Sequence, residues 1–228
     1  MNTAKTIFIA LAAFAAVLGI AAKTSAQAAN NYSAIITWRA NDYYPSDFLG
    51  KALPTNGTTV SLSVIVLNNQ KIQDASNLPI LWYVDGNFMN GGVGESQTNF
   101  TVTKTAGDSH IVSVQIGAGG QTISASARIP VVNYRAVINA PYPAQTVNQN
   151  STANLEIIPY FFNVNSFNDF LFSWTVNNLQ SVTSTTDNTL SLKVGQIGAT
   201  QNISIDASVQ NTANAFEFAY GKTNLYVQ

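Results

Sequence analysis

The chain has 228 residues, of which 46% are hydrophobic and only 9% charged, with a formal net charge of −1. That length suits one large domain or two of roughly 100 residues each, and the near-neutral balance offers no basic surplus for a phosphate backbone, so nucleic acid is not an expected partner. With no cysteine, disulfides, zinc–thiolate sites, iron–sulfur clusters and cysteine nucleophiles are excluded.

Residues 1–28 read as an export signal. Lys5 supplies a positive start, residues 7–22 are unbroken apolar residues and glycine, and Ala26-Gln27-Ala28 fits a small-x-small cleavage pattern with the cut before Ala29. The apolar run would be about 24 Å long as a helix, short of a hydrocarbon core of about 30 Å. The alternative is an uncleaved anchor, in which case this segment alone would touch a membrane. An exported, extracellular or cell-envelope location is expected.

Residues 30–132 are read as a first β-sandwich. Residues 34–39 form an opening strand, followed by the loop 41–47 around Pro45, which has no N–H to donate. Val60, Leu62, Val64 and Val66 alternate with mostly polar neighbours and so share one face of a strand. Ile80, Trp82 and Val84 do the same in the strand that organises this half. Asp85-Gly86-Asn87 is a tight turn, because glycine tolerates positive φ. Residues 91–94, Gly-Gly-Val-Gly, read as irregular. Phe100 and Val102 mark another strand, then His110, Val112, Val114 and Ile116, then Ile123, Ala125, Ala127 and Ile129. Short strands with frequent turn signals and no sustained helical periodicity predict an antiparallel sandwich.

Residues 133–228 repeat the pattern. Tyr142-Pro143 echoes Tyr44-Pro45, and Ala153, Leu155 and Ile157 echo the Val60 strand. Phe170, Phe172, Trp174 and Val176 echo the Trp82 strand, Leu190 and Leu192 echo Phe100 and Val102, and Ile203, Ile205, Ala207 and Val209 echo the His110 strand. Phe216, Phe218 and Tyr220 begin the last strand, where Gly221 suggests a bulge or kink. Similar offsets across these landmarks predict a duplicated domain, and the short join around residues 129–135 predicts two units end to end. The fold class expected is all-β: two tandem immunoglobulin-like antiparallel sandwiches after an N-terminal signal helix.

Val84-Asp85-Gly86 after Trp82 and Val176-Asn177-Asn178 after Trp174 resemble the Trp-x-Val-(Asp/Asn)-(Gly/Asn) strand and turn of bacterial immunoglobulin-like and PKD-like surface domains. Residues 107–114 resemble their Gly-x-Tyr-x-Val-x-Val penultimate strand, with His110 near the expected tyrosine. The acidic Gly-Asp-Gly of PKD repeats and the inter-sheet cysteines of antibody domains are absent. The resemblance implies a spacer, stalk or adhesive module outside the cell.

Little chemistry competes with that reading. His110 is the single histidine; its neighbours Ser109 and Asp108 cannot converge with it, since adjacent strand residues face opposite ways, so it is expected to be structural. The carboxylates are scattered over turns, where aspartate is common. No cofactor is expected. Calcium is the metal that oxygen ligands would suit, with Asp42, Asp47 and Asp85 as candidate ligands at one pole. Tyr43, Tyr44 and Phe48 in the first loop, with Phe161, Phe162 and Phe167 before the Trp174 strand, are candidate ligand-binding aromatics, which could stack on sugars or anchor a protein partner. Against that stands their use as seals at the sandwich ends or at the junction. The expected function is therefore a non-enzymatic spacer, adhesion or envelope module, with a carbohydrate- or ligand-binding module as the alternative. Protein or glycan partners are expected, and edge strands offer a route to self-association.

Overall fold

The computed structural model describes residues 31–140, 143–178, 180–184, 187–196 and 201–228. The expected leader and Tyr142 lie outside the described residues. The first half holds β1 (Tyr32–Asn41), β2 (Thr59–Asn68), β3 (Lys71–Gln73), β4 (Pro79–Val84), β5 (Asn87–Val93), β6 (Gln97–Thr101), β7 (Ser109–Ala118) and β8 (Gln121–Pro130). The second holds β9 (Arg135–Asn139), β10 (Thr146–Val147), β11 (Thr152–Tyr160), β12 (Phe170–Val176), β13 (Gln180–Ser184), β14 (Thr189–Lys193), β15 (Gln201–Asn211) and β16 (Asn214–Val227). Among the described residues the helical segments are two single 3-10 turns, Pro143–Gln145 and Phe167–Asp169.

The two halves pair their strands by one scheme. In the first, β2 pairs with β1, β3 and β6, facing a sheet ordered β5-β4-β7-β8. In the second, the sheet β14-β11-β9 faces β10-β16-β15-β12-β13. Among the described residues all strand pairings are antiparallel except the short parallel contact of β10 with β16. This is an all-β architecture of antiparallel sandwiches.

Period-two patterning places each core. Along β2, Val60, Leu62, Val64 and Val66 are buried while Thr59, Ser61 and Ile65 face out. Ile80 and Trp82 from β4 meet Val112, Val114 and Ile116 from β7 in the first core. Phe170, Phe172 and Trp174 from β12 meet Leu155, Ile157, Ile205 and Val209 in the second. Both indoles are essentially fully buried, and each large apolar side chain so placed contributes about 1.5–3 kcal/mol. Val131 closes the first core and Ala136 opens the second, with four residues between β8 and β9.

The hairpin after Trp82 is tight, with Asp85 at φ 51° and Gly86 at φ 82°, and Asn177 and Asn178 repeat the positive φ values after Trp174. These are the angles a two-residue hairpin with the twist of its strands demands. Two readings from glycine are corrected. Residues 91–93 are strand, not irregular chain: a Cβ on Gly91 would stand 2.7 Å from the Ile80 carbonyl oxygen, so glycine here admits a close approach of β5 to β4. Gly221 stays in register opposite Ala207, and the irregularity falls at Gln210/Asn211 instead. Gly221 faces the core, where a Cβ would lie 3.0 Å from Ile138 Cγ1.

Candidate functional site

The loop after β1 does not stay with its own sandwich. Tyr43 N–H donates to the Phe162 carbonyl and Phe161 N–H donates to the Tyr43 carbonyl, each at 2.7 Å. This isolated antiparallel bridge joins the loop to the segment after β11. Phe161 adopts φ 65° to make it, a costly angle for a bulky side chain.

The six candidate aromatics are thereby divided. Phe162 is fully buried and Phe161 nearly so. Phe162 lies 5.1 Å from both the Tyr134 and Phe170 rings. Tyr43 meets Phe170 edge-on at 5.0 Å, and Phe167 packs on Phe172 at 5.2 Å. Tyr43, Phe162 and Phe167 pack on the second core, so the expectation of a stacking platform on Phe162 is corrected, while Phe161 lines a recess beside Phe48. Tyr44 and Phe48 are half-buried beyond them, and Phe48 meets the rings of Tyr160 at 5.5 Å and Phe161 at 5.8 Å.

Polar groups lock the same junction. Thr58 donates to Asn163 Oδ1 at 2.6 Å, and Asn163 Nδ2 donates to the Asn56 carbonyl at 2.9 Å and to Glu217 Oε1 at 3.1 Å. Glu217 is buried on β16 and also accepts from Asn163 N–H, Asn211 Nδ2 and Asn214 Nδ2. Four donors surround this one carboxyl group, so neither of its buried oxygens is left unmatched. Tyr134 donates to the Asn56 carbonyl and Thr55 to that of Phe161.

Two recesses flank the loop. One, of about 320 Å³, is lined by Arg39, Asn41, Asp42, Tyr44 and Asn165 among others. Asp42 is 9% exposed, and neither carboxyl oxygen has a hydrogen-bond partner among the described residues. Burial pushes its pKa up to about 7, only partly offset by its own main chain. The other, of about 390 Å³, lies between the loop and strands β9 and β11, with Phe48, Lys51, Arg135, Val137 and Tyr160 in its walls. Lys51 Nζ sits 3.4 Å above the Trp38 ring, and burial lowers its pKa.

The three candidate calcium ligands do not converge. Asp47 is exposed, and among the described residues no three acidic or histidine side chains come together as a metal would need. Asp85 serves the hairpin instead. Its Oδ2 lies 2.7 Å from His110 Nδ1 and 3.0 Å from Lys104 Nζ, and its Oδ1 accepts from Ile111 N–H at 2.9 Å. Partial desolvation raises its pKa, but the bonds from Ile111, Lys104 and His110 outweigh it and bring the value to about 2. His110 is buried, its ring edge-on to Phe100, and its Nε2 accepts from Thr103 N–H at 3.4 Å. Both ring nitrogens are engaged, so the arrangement braces β4 against β7.

Sequence reasoning missed this Asp85–His110–Lys104 cluster and the Asn163–Glu217 network. The first is legible only once Val84 is known to pair with Val112. The second unites residues far apart in the chain.

No protein-family model matches the chain, and no curated protein matches it. Among solved structures, the three N-terminal domains of the Highly Immunogenic Outer Capsid protein of bacteriophage RB49 are similar at 14% identity and TM-score 0.43, over 86% of this chain and 59% of that one. This chain thus spans under two thirds of that structure's length. The fibronectin(III)-like modules of Clostridium thermocellum CbhA match at 11% identity and TM-score 0.32, over 85% of this chain and 93% of that one. Bacteroides ovatus SGBP-B, solved with a mixed-linkage heptasaccharide, matches at 12% identity and TM-score 0.24, over 84% and 47% of the respective chains.

Proposed function

We propose that this is a non-enzymatic, exported interaction module of the cell surface or envelope, in which two immunoglobulin-like sandwiches are joined stiffly enough to act as a spacer that presents a binding surface. The junction carries this reading. A main-chain bridge, buried aromatics and the Asn163 amide, which bonds Thr58 and the Asn56 carbonyl, tie the loop after β1 to the second core. A flexible linker would need none of these contacts, and each buried polar member would cost stability if left unmatched. Export rests on residues 1–28 and a cut before Ala29.

Calorimetry on the exported chain tests the joint. A single cooperative transition is expected, because unfolding either half strips partners from the other. Two well-separated transitions in the unsubstituted chain would overturn the stiff-spacer reading. Sequencing the exported product from its N-terminus checks the cut, and a product that keeps Lys5 would rule out cleavage.

A further inference from the structure

The groove beside the crossing loop has features that the junction does not use. Its volume, about 390 Å³, falls within the range of small-ligand sites, about 300–1,000 Å³. Lys51 and Arg135 both line it, with no carboxylate in its walls, and neither joins an ion pair among the described residues. In a chain with ten basic residues and a net charge of −1, two uncompensated cations in one recess select an anion. The remaining wall is apolar: the Phe48 and Tyr160 rings stand edge to face at 5.5 Å, beside Val137 and Phe161.

We propose that this groove binds a carboxylate-bearing sugar ring, a uronic or sialic acid residue of a surface glycan. Arg135 forms a forked pair with the carboxylate. Lys51, held over Trp38, supplies the second positive charge. The C–H face of the ring stacks on Phe48, the ring whose truncation is tested, with Tyr160 set across its edge. A bare phosphate would leave those walls unused, and an aspartate or glutamate side chain has no flat face to present. The assignment rests on the interaction-module reading and adds a ligand class to it; the joint can melt as one unit even where binding fails.

Titration calorimetry on the full exported chain tests it with five probes: trigalacturonate, galactotriose, sialyllactose, lactose and adenosine monophosphate. Binding of trigalacturonate identifies a uronate site and binding of sialyllactose a sialate site. In either case the neutral counterpart binds at least about tenfold more weakly, and affinity falls as salt rises. Arg135→Gln and Phe48→Ala each lose about tenfold or more, whereas Lys71→Met on β3, which pairs with the far end of β2, changes nothing. The melting curve of each variant separates lost binding from lost folding. The proposal is overturned if neither acidic sugar binds below about 10 mM, if acidic and neutral probes bind alike, or if a folded Arg135→Gln binds unchanged. Tighter binding of adenosine monophosphate than of either acidic sugar would equally overturn the saccharide assignment.

Discussion

Two tryptophans in matching strands differ in one atom's surroundings. Trp82 Nε1 donates to the Glu95 carbonyl at 2.8 Å, while Trp174 Nε1 is buried with no partner among the described residues. Replacing either by phenylalanine removes volume from a packed core. At position 82 it also strands a carbonyl, whereas at 174 it removes an unmet donor. Trp82→Phe should therefore destabilise by about 1–2 kcal/mol more than Trp174→Phe, measured by urea unfolding; equal losses would refute this. Asp42 gives the pH counterpart. Its pKa rises from 3.8 to about 7 on folding, so between those values the folded state holds a proton the unfolded state has released. Stability from this group is fully present below about pH 4 and is lost as pH rises to about 7, at up to about 1.4 kcal/mol per unit. Asp42→Asn should flatten that slope and stabilise the protein at pH 8 by about 1–3 kcal/mol. A variant as pH-sensitive as the parent across this range would contradict the assignment.

Strands were the legible elements, because burial on one face writes a period of two into the sequence. Val60 to Val66 and His110 to Ile116 show it without interruption, and the structure buries those residues on one side. Glycine was misread, since it marks both turns and close strand approaches, and sequence alone does not say which. Gly91 belongs to the second kind: an added Cβ would meet Leu81 Cδ2 at 2.6 Å and the Ile80 carbonyl at 2.7 Å. The leucine can turn aside, but the carbonyl is part of the β4 main chain, which is paired with β5 on one side and β7 on the other. Gly91→Ala should cost about 1–3 kcal/mol through displaced backbone. Gly86, with open space about its Cβ and φ 82°, should lose stability through backbone strain alone, by about 1 kcal/mol. If Gly91→Ala proved neutral in chemical denaturation, the close approach of β5 to β4 would be wrong. The aromatic row of Phe216, Phe218 and Tyr220 shows the limit of periodicity from another side. It alternates like a core face, yet all three rings are exposed, and Glu217, Ala219 and Gly221 point inward.

At the scale of the whole molecule, the two cores are local facts and the joint between them is not. Each core could be read from its own segment of sequence. The joint needs Tyr43 beside Phe162 and Asn163 beside Glu217, pairings that no local pattern announces. Aromatics near residues 43–48 and 160–167 were visible as a group, but whether they seal or bind depends on which ring reaches the interior. Glu217 is the sharper case. A lone carboxylate in a strand reads as solvent-facing, and here it is buried with four donors around it. Asn163 bonds it twice while also holding Thr58 and the Asn56 carbonyl, so the two side chains act as one unit across the joint. A double-mutant cycle on Asn163→Ala and Glu217→Ala should give a coupling of about 0.5–3 kcal/mol. Glu217→Ala alone strands the amides of Asn163, Asn211 and Asn214, and so frees the side chain that holds Thr58 and the Asn56 carbonyl; most of the damage is done by either substitution, and the second adds little. If the two losses simply summed, the residues would be independent packing sites, and the carboxylate would not be what holds Asn163 against Thr58 and Asn56 of the first half.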